Sequence, residues 1–262
     1  MRAVTFASGS GGNCTLVSQG DTHILIDAGI SMKRIVACLA DRGLTPAELG
    51  GVFITHEHSD HVSGLGMLLK HYPLRVYAPR TVAARLCGQL PQAEERLTVL
   101  HTLSPLSLHD MTVTAFHTPH DTDESVGYRF DSAEGSFGFC TDLGQVTEEV
   151  RGALRGVTGA VIECNHDEEM LRHGPYPVYL KRRILSDHGH LSNEMCGALA
   201  VFLAENGAGE LILGHISREN NTPQRAYAAV QAALTAAGLS PTVLIAPPFG
   251  PAEIEVRSAC SA

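Results

Sequence analysis

The sequence predicts an α/β protein folded as a four-layer αββα sandwich, two sheets face to face with helices over each outer face. Three observations carry that expectation. Short β-type runs and helical stretches alternate in both halves of the chain, so each half offers one sheet and the helices to cover it. No linker, low-complexity tract or repeat with a period of roughly 20–50 residues interrupts them. The 262 residues are 44% hydrophobic and 18% charged, ordinary values for a globular chain long enough to bury a large core. Residues 1–262 therefore read as a single domain.

In order along the chain, residues 4–7, 15–18 and 23–27 are short β-rich runs parted by Gly, Ser and Asn, the residues of tight turns. Ser31 stands as an N-cap ahead of Ile35, Val36 and Leu39 at helical spacing, and Gly43 fits the position just past the helix. Residues 51–55 form a short apolar run that predicts a buried strand ending on His56. Residues 61–72 read as one helix and 75–78 as the next strand. Residues 98–100, 111–117, 125–131 and 136–140 have β-type composition, and 160–163 and 210–215 return to strands. Residues 192–206 predict a helix closed by Gly207. Thr222-Pro223 opens another, a cap followed by proline at the first helical position. Its apolar stripe is Ala226, Val230, Ala233, Leu234 and Ala237, and Gly238 ends it.

The formal net charge is −9, so the chain as a whole does not attract nucleic acid or an anionic membrane, although a local basic patch or a cation can reverse the local field. The cysteines are Cys14, Cys38, Cys87, Cys140, Cys164, Cys196 and Cys260, an odd set with no C-x-x-C spacing. That argues against a disulfide framework or a zinc knuckle and for free, mostly buried thiols in a reducing cytoplasm. No signal peptide and no apolar run of membrane-spanning length is visible.

The chemistry is concentrated in His56-Glu57-His58-Ser59-Asp60-His61, five metal-binding side chains within six residues, directly after the strand expected at 51–55. Imidazoles and carboxylates suit zinc, manganese and iron. Residues i and i+2 of an extended loop share one side, so His56 and His58 can serve one cation while Asp60 and His61 serve a neighbour. Without function the segment would be a polar surface turn, but such density at a strand end is not what turns need. Three more candidates each close a β-type run: His120 in Thr118-Pro119-His120-Asp121, Asp142 in Thr141-Asp142-Leu143-Gly144, and His215 in Gly214-His215-Ile216-Ser217. Taken singly, each could be a loop histidine or a capping aspartate. A carboxylate such as Asp142 can also bridge two cations through its two oxygens.

The order of these motifs resembles that of the metallo-β-lactamase-fold hydrolases over nearly the whole chain. Asp27 in Leu25-Ile26-Asp27-Ala28-Gly29 resembles the family's first motif, in which the aspartate supports the metal loop. The resemblance implies that His56, His58 and His120 hold one divalent cation, that Asp60, His61 and His215 hold a second, and that Asp142 bridges them. The segments 7–14, 163–167, 185–193 and 215–223 resemble the YycJ/WalJ-type subgroup, which implies a 5′→3′ DNA exonuclease. Attack on phosphorus by a hydroxide bridging two cations about 3.5–4 Å apart is the mechanism that follows, with Asp60 also accepting a hydrogen bond from the nucleophile.

Other residues carry weaker expectations. The loop 8–13 could offer backbone N–H groups, with the side chains of Ser10 and Asn13, to a phosphate; a glycine-rich turn would look the same. His190, His188 or His166 could protonate the leaving oxygen, or merely cap and pack. Arg218 follows the His215 segment and could meet the substrate backbone, whereas Lys181, Arg182 and Arg183 could equally be a solvated helix face. His71, His101, His109 and His173 have no motif context, and Glu57 and Ser59 have no assigned job. The expected partner is a DNA substrate, with no membrane and no obligate protein partner. The alternative reading is a small-molecule hydrolase of thioesterase or lactonase type with the same metal centre. A β-lactamase is disfavoured by Asp142, and a silent binding protein by the intact ligand set.

Overall fold

The computed structural model describes residues 1–257, so Cys260 lies outside the described residues. The chain opens as an antiparallel meander of β1 (Arg2–Ala7), β2 (Cys14–Gln19) and β3 (Thr22–Ile26). It then switches to parallel pairing, with α1 (Met32–Ala40) leading to β4 (Leu49–Phe53). Helices α2 (Ser59–Val62) and α3 (Leu65–His71) lead to β5 (Val76–Pro79), and α4 (Arg80–Gln89) leads to β6 (Leu97–Leu100). The second sheet repeats the scheme. A meander of β7 (Leu106–Leu108), β8 (Met111–His117), β9 (Val126–Ser132) and β10 (Gly135–Cys140) precedes α5 (Glu148–Leu154) and β11 (Gly159–Glu163). Helices α6 (Glu168–His173), α7 (Val178–Ile184) and α8 (Asn193–Glu205) lead to β12 (Glu210–Gly214), and α9 (Pro223–Ala236) leads to β13 (Thr242–Ile245). The last strand, β14 (Ala252–Glu255), returns to the first sheet beside β1. The strand orders are β14-β1-β2-β3-β4-β5-β6 and β13-β12-β11-β10-β9-β8-β7.

Three apolar layers make this the expected αββα sandwich. Ile24, Ile26 and Phe53 of one sheet meet Val113, Tyr128, Phe130, Phe137, Val161 and Ile212 of the other. Leu25, between the two isoleucines, points the opposite way and packs with Ile35 and Leu39 of α1 and Leu65 and Leu68 of α3. Alternate residues of a strand face opposite sides, so a strand covered on both faces reads as a continuous apolar run. Beyond the second sheet, Ala160, Ile162, Leu211 and Leu213 pack with Leu199 and Leu203 of α8 and Val230 and Leu234 of α9.

Most expected strands appear within two residues of their sequence limits, and Met111–His117 as expected. The helix expected over 61–72 is broken instead into α2 and α3. The cause is close packing: Gly64 N–H bonds to Ala28 O at 2.8 Å, Ser63 Oγ donates to Gly29 O at 2.7 Å, and a Cβ on Gly64 would lie 2.0 Å from Ile30 O. Ser31 occupies the cap position of α1 without a side-chain cap bond. Thr222 and Ser192 do cap α9 and α8 through their hydroxyls. Ala237, expected as the last member of the apolar stripe, is instead exposed just past the end of α9. Cys14, Cys38, Cys87, Cys140, Cys164 and Cys196 are free, though Cys38 and Cys87 are only partly buried. No helix among the described residues is long and apolar enough to cross a membrane.

Candidate metal centre

The topology brings several strand ends to one edge of the sandwich. Strands β3 and β4 run parallel in the first sheet, and β10, β11 and β12 run parallel in the second. Their C-terminal ends therefore lie side by side and deliver Asp27, the 56–61 loop, Asp142, Glu163 and His215, with His120 just beyond β8. Asp27, Asp142 and His215 take φ values of 60°, 59° and 54°, a left-handed conformation uncommon outside glycine and found at constrained functional sites. Gly29 makes room for the arrangement, because a Cβ there would lie 1.6 Å from Asp60 O.

Four overlapping groups of donor atoms result; Asp142 belongs to two, one with His56 and His61 and one with Glu163, His190 and His215. Those of His56, His58 and His120 lie within 4.8 Å of one another, as do those of Asp60, His61 and His215. Asp142 sits between them: its Oδ2 is 3.5 Å from His61 Nε2 and its Oδ1 is 4.0 Å from His120 Nε2. His56 Nε2 and His58 Nδ1 face each other at 3.0 Å. Asp142 Oδ2 and His215 Nε2 are buried with no hydrogen-bond partner, as is Asp121 Oδ1. Buried polar atoms ordinarily find partners, so converging orphaned donor atoms of imidazole and carboxylate type fit a divalent cation.

All of these imidazoles but His58 also have a hydrogen-bond partner on the far ring nitrogen, the kind of support that orients metal-binding histidines. His61 Nδ1–H donates to Asp27 Oδ2 at 2.7 Å, and Asp27 in turn accepts the Thr55 N–H at 2.9 Å. His215 Nδ1–H donates to Glu163 Oε1 at 2.7 Å, and His120 Nδ1–H to Gly189 O at 3.2 Å. His56 Nδ1 lies 3.1 Å from Thr55 Oγ1, and His58 Nε2 lies 3.9 Å from Asp121 Oδ1.

Glu163 was not singled out in the sequence as a site residue. It is fully buried and accepts His215 and His190 Nδ1–H on Oε1, and the Leu143 and Leu191 N–H groups on Oε2. Every lone pair is engaged, so Glu163 orients neighbours and has nothing left for a cation. Its only sequence signal is a carboxylate closing an apolar strand, where an acid needs partners.

The charges are strongly interdependent. Burial disfavours the Asp60 carboxylate, but the His215 and His61 rings, whose Nε2 atoms lie 3.8 and 3.5 Å from its Oδ2, hold it well below the usual carboxylate range. Burial likewise opposes charge on Glu163, and His190 and His215 overcome it. Burial would depress His61, yet Asp27 and Asp142 push it well above the ordinary histidine value. Asp142 does the same for His215 against burial, and Glu163 raises His190. Burial and the neighbouring His61 keep His56 well below that value, ready as a neutral donor.

The remaining expected residues separate. A cavity of about 200 Å³ opens over the centre, lined by Ser10, Asp121, Tyr176, Arg183, His190, His215 and Ser217. Asn13 is buried, its Nδ2 3.3 Å from Asp60 Oδ2 and 3.0 Å from His61 Nε2, so it packs against the donor atoms and not in the cleft. His188 is exposed and outside this cleft. His166 is buried with both ring nitrogens unpartnered and does not reach the cleft. Arg218 is exposed beside the mouth. Of the basic run, Arg183 faces the cleft and pairs with Asp121, while Lys181 donates to Arg172 O. Glu57 acquires a job: it accepts from Thr122 Oγ1 at 2.7 Å and from Arg85, tying the 56–61 loop to the loop that carries His120. Ser59 opens α2 and lines a larger groove, about 1070 Å³, that touches the centre through His58.

Comparison with known proteins agrees with this architecture. The family described as beta-lactamase superfamily domain matches residues 22–216. The exodeoxyribonuclease WalJ of Streptococcus pneumoniae is 35% identical over 226 residues, covering 84% of this chain and 83% of that protein. The exodeoxyribonuclease YycJ of Bacillus anthracis is 34% identical over 235 residues, covering 88% of each. Among solved structures, Zn(2+)-bound PqqB from Methylobacterium extorquens superposes with a TM-score of 0.74 at 17% identity, covering 98% of this chain and 100% of that one.

Proposed function

This chain belongs to the beta-lactamase superfamily, the metallo-β-lactamase-fold hydrolases, and from that premise we propose that it is a dinuclear metal-dependent phosphodiesterase, a 5′→3′ exonuclease acting on DNA. The observation that carries the dinuclear reading is Asp142, whose Oδ2 lies 3.5 Å from His61 Nε2 and whose Oδ1 lies 3.3 Å from His215 Nδ1 and 4.0 Å from His120 Nε2, so that one carboxylate reaches both sets of donor atoms. In this reading His56, His58 and His120 would hold one divalent cation, Asp60, His61 and His215 would hold the other, and Asp142 would serve both. Zinc, manganese and iron all suit these donors. Such cations lower the pKa of a water and offset charge on phosphoryl oxygens. Similarity to two proteins named exodeoxyribonucleases, over most of both chains, favours a DNA phosphodiester over a carbonyl substrate.

The chain's own residues supply the rest. Asp60, kept ionised by His215 and His61, is placed to accept a hydrogen bond from the attacking water. His190 is the proton donor: Glu163 fixes its Nδ1, raises its proton affinity and leaves Nε2 without a hydrogen bond on the cleft side. His188 and His166 are too far out and too deeply buried, respectively, to share that role. Ser10 lies on the cleft wall where it can orient a phosphate oxygen, while Asn13 steadies Asp60 and His61. A reducing cytoplasm suits the six free thiols among the described residues.

Asp142→Ala tests the reading: it should abolish cleavage of end-labelled DNA and lower bound metal, and retention of both would sink it. Metal-loaded wild type should release nucleotides from 5′-labelled DNA and leave a thioester and a β-lactam intact. Turnover of the thioester alone would instead establish the small-molecule hydrolase.

A further inference from the structure

Beside the cleft, an exposed phenyl ring gathers two arginines that have no acidic partner. Phe249 stands between β13 and β14 in Pro247-Pro248-Phe249-Gly250-Pro251, where three prolines restrict the backbone, and it is 49% exposed. The Arg34 guanidinium, from α1, lies 4.1 Å from the ring centroid, and that of Arg218 lies 5.3 Å from it. Arg85, Arg129, Arg172, Arg183 and Arg225 are all ion-paired in this acid-rich chain. Among the described residues Arg34 and Arg218 pair with no carboxylate. Two cations held together without counter-charge form a local seat for an anion on a chain whose net charge is −9.

The patch continues the cleft. Ser10 and Ser217 line the cavity, and their neighbours Gly11 and Arg218 lead out of it. Arg218 Nη2 rests on Gly11, where a Cβ would come within 2.7 Å of it. Guanidinium forks match phosphate oxygens, and an aromatic edge beside them suits a nucleotide base. We propose that Arg34, Arg218 and Phe249 form a subsite for the sugar–phosphate backbone of single-stranded DNA, holding the strand next to the cleft. The inference rests on the nuclease reading for its substrate class.

The test is fluorescence anisotropy of a labelled, 5′-phosphorylated single-stranded oligonucleotide across a salt series. Chelator is present so that bound cations contribute nothing, and thermal melts verify folding of each variant. Arg34→Ala and Arg218→Ala should each weaken binding by up to about fivefold. Each should also reduce the slope of log affinity against log salt by about 0.7. Phe249→Leu should weaken binding about two- to fivefold with the slope unchanged, because the charges remain. Wild-type slopes in both arginine variants, or no binding by wild type, would overturn the subsite. Weakened variants of a wild type that binds but, once reloaded with zinc or manganese in a separate digestion, never cleaves would uphold the subsite and remove the nuclease reading. Unweakened variants of a wild type that cleaves would do the reverse.

Discussion

Glu163→Gln is a one-atom change with a calculable effect. The carboxylate accepts four hydrogen bonds, at 2.7 and 2.8 Å from His215 and His190 and at 3.2 and 3.0 Å from Leu143 and Leu191 N–H. A glutamine has one oxygen, so its NH₂ must face one of these donor pairs. Turned toward the backbone, it opposes two N–H groups in a fully buried place. Turned toward the histidines, it forces His215 Nδ1 to accept, which moves the ring proton to Nε2 and blocks the nitrogen that the proposed cation would use. Hydrogen bonds to charged groups contribute about 1.5–3 kcal/mol each, so two lost bonds amount to roughly 3–6 kcal/mol before relaxation. At the lower figure the melting temperature falls by about 6–12 °C, given roughly 2–4 °C per kcal/mol for a chain near this size. Loss of such a supporting carboxylate typically weakens metal binding about 10- to 100-fold. Calorimetry and metal analysis after dialysis against graded metal concentrations read both effects. Metal affinity within about twofold of wild type, with an unshifted melting temperature, would refute the account of Glu163 as the orienting group.

Two further outcomes follow from the centre. His61 is raised against burial by Asp27 and Asp142, and His215 by Asp142 and its other acidic neighbours, so in metal-free protein both hold protons above the ordinary histidine range. Their contribution to metal-free stability is complete below the unfolded value of about 6.5 and is lost as pH rises through the folded values. Cations need the deprotonated rings, so the rise in melting temperature on adding metal should grow from about pH 6 to about pH 9; a flat or shrinking increment in scanning fluorimetry would contradict this. Gly29→Ala should displace the 56–61 loop, because the new methyl would lie 1.6 Å from Asp60 O. It should cost well over about 1 kcal/mol and deplete bound metal, whereas wild-type stability and metal content would show that the contact is soft.

The sandwich was legible because its strands are short apolar runs broken by turn residues, and those runs survive as β1 to β6 and β8 to β12. The elements not anticipated have other causes. β7 and β13 are edge strands of three and four residues, and Ala-Glu-Ile-Glu of β14 gains its order only by pairing with β1. Helices α4 and α7 begin without a side-chain cap bond, so neither announces its start. The donor residues were legible from their density within 56–61 and from His120, Asp142 and His215 at strand ends. Glu163, Asp121 and the placement of Asn13 were not, because their roles depend on segments 20 to 70 residues away meeting in space.

The pairing of β14 with β1 has a consequence for biosynthesis. Arg2 is aligned with Glu255, so β1 waits for residues about 250 positions further along the chain before its free edge is covered. At about 5–20 residues per second, that wait is roughly 12–50 seconds on the ribosome. The His215 donor also emerges late, after the 56–61 loop has been exposed for most of synthesis. A nascent chain therefore presents an incomplete candidate cation site and an open sheet edge together, and both are closed only as β12 and β14 arrive.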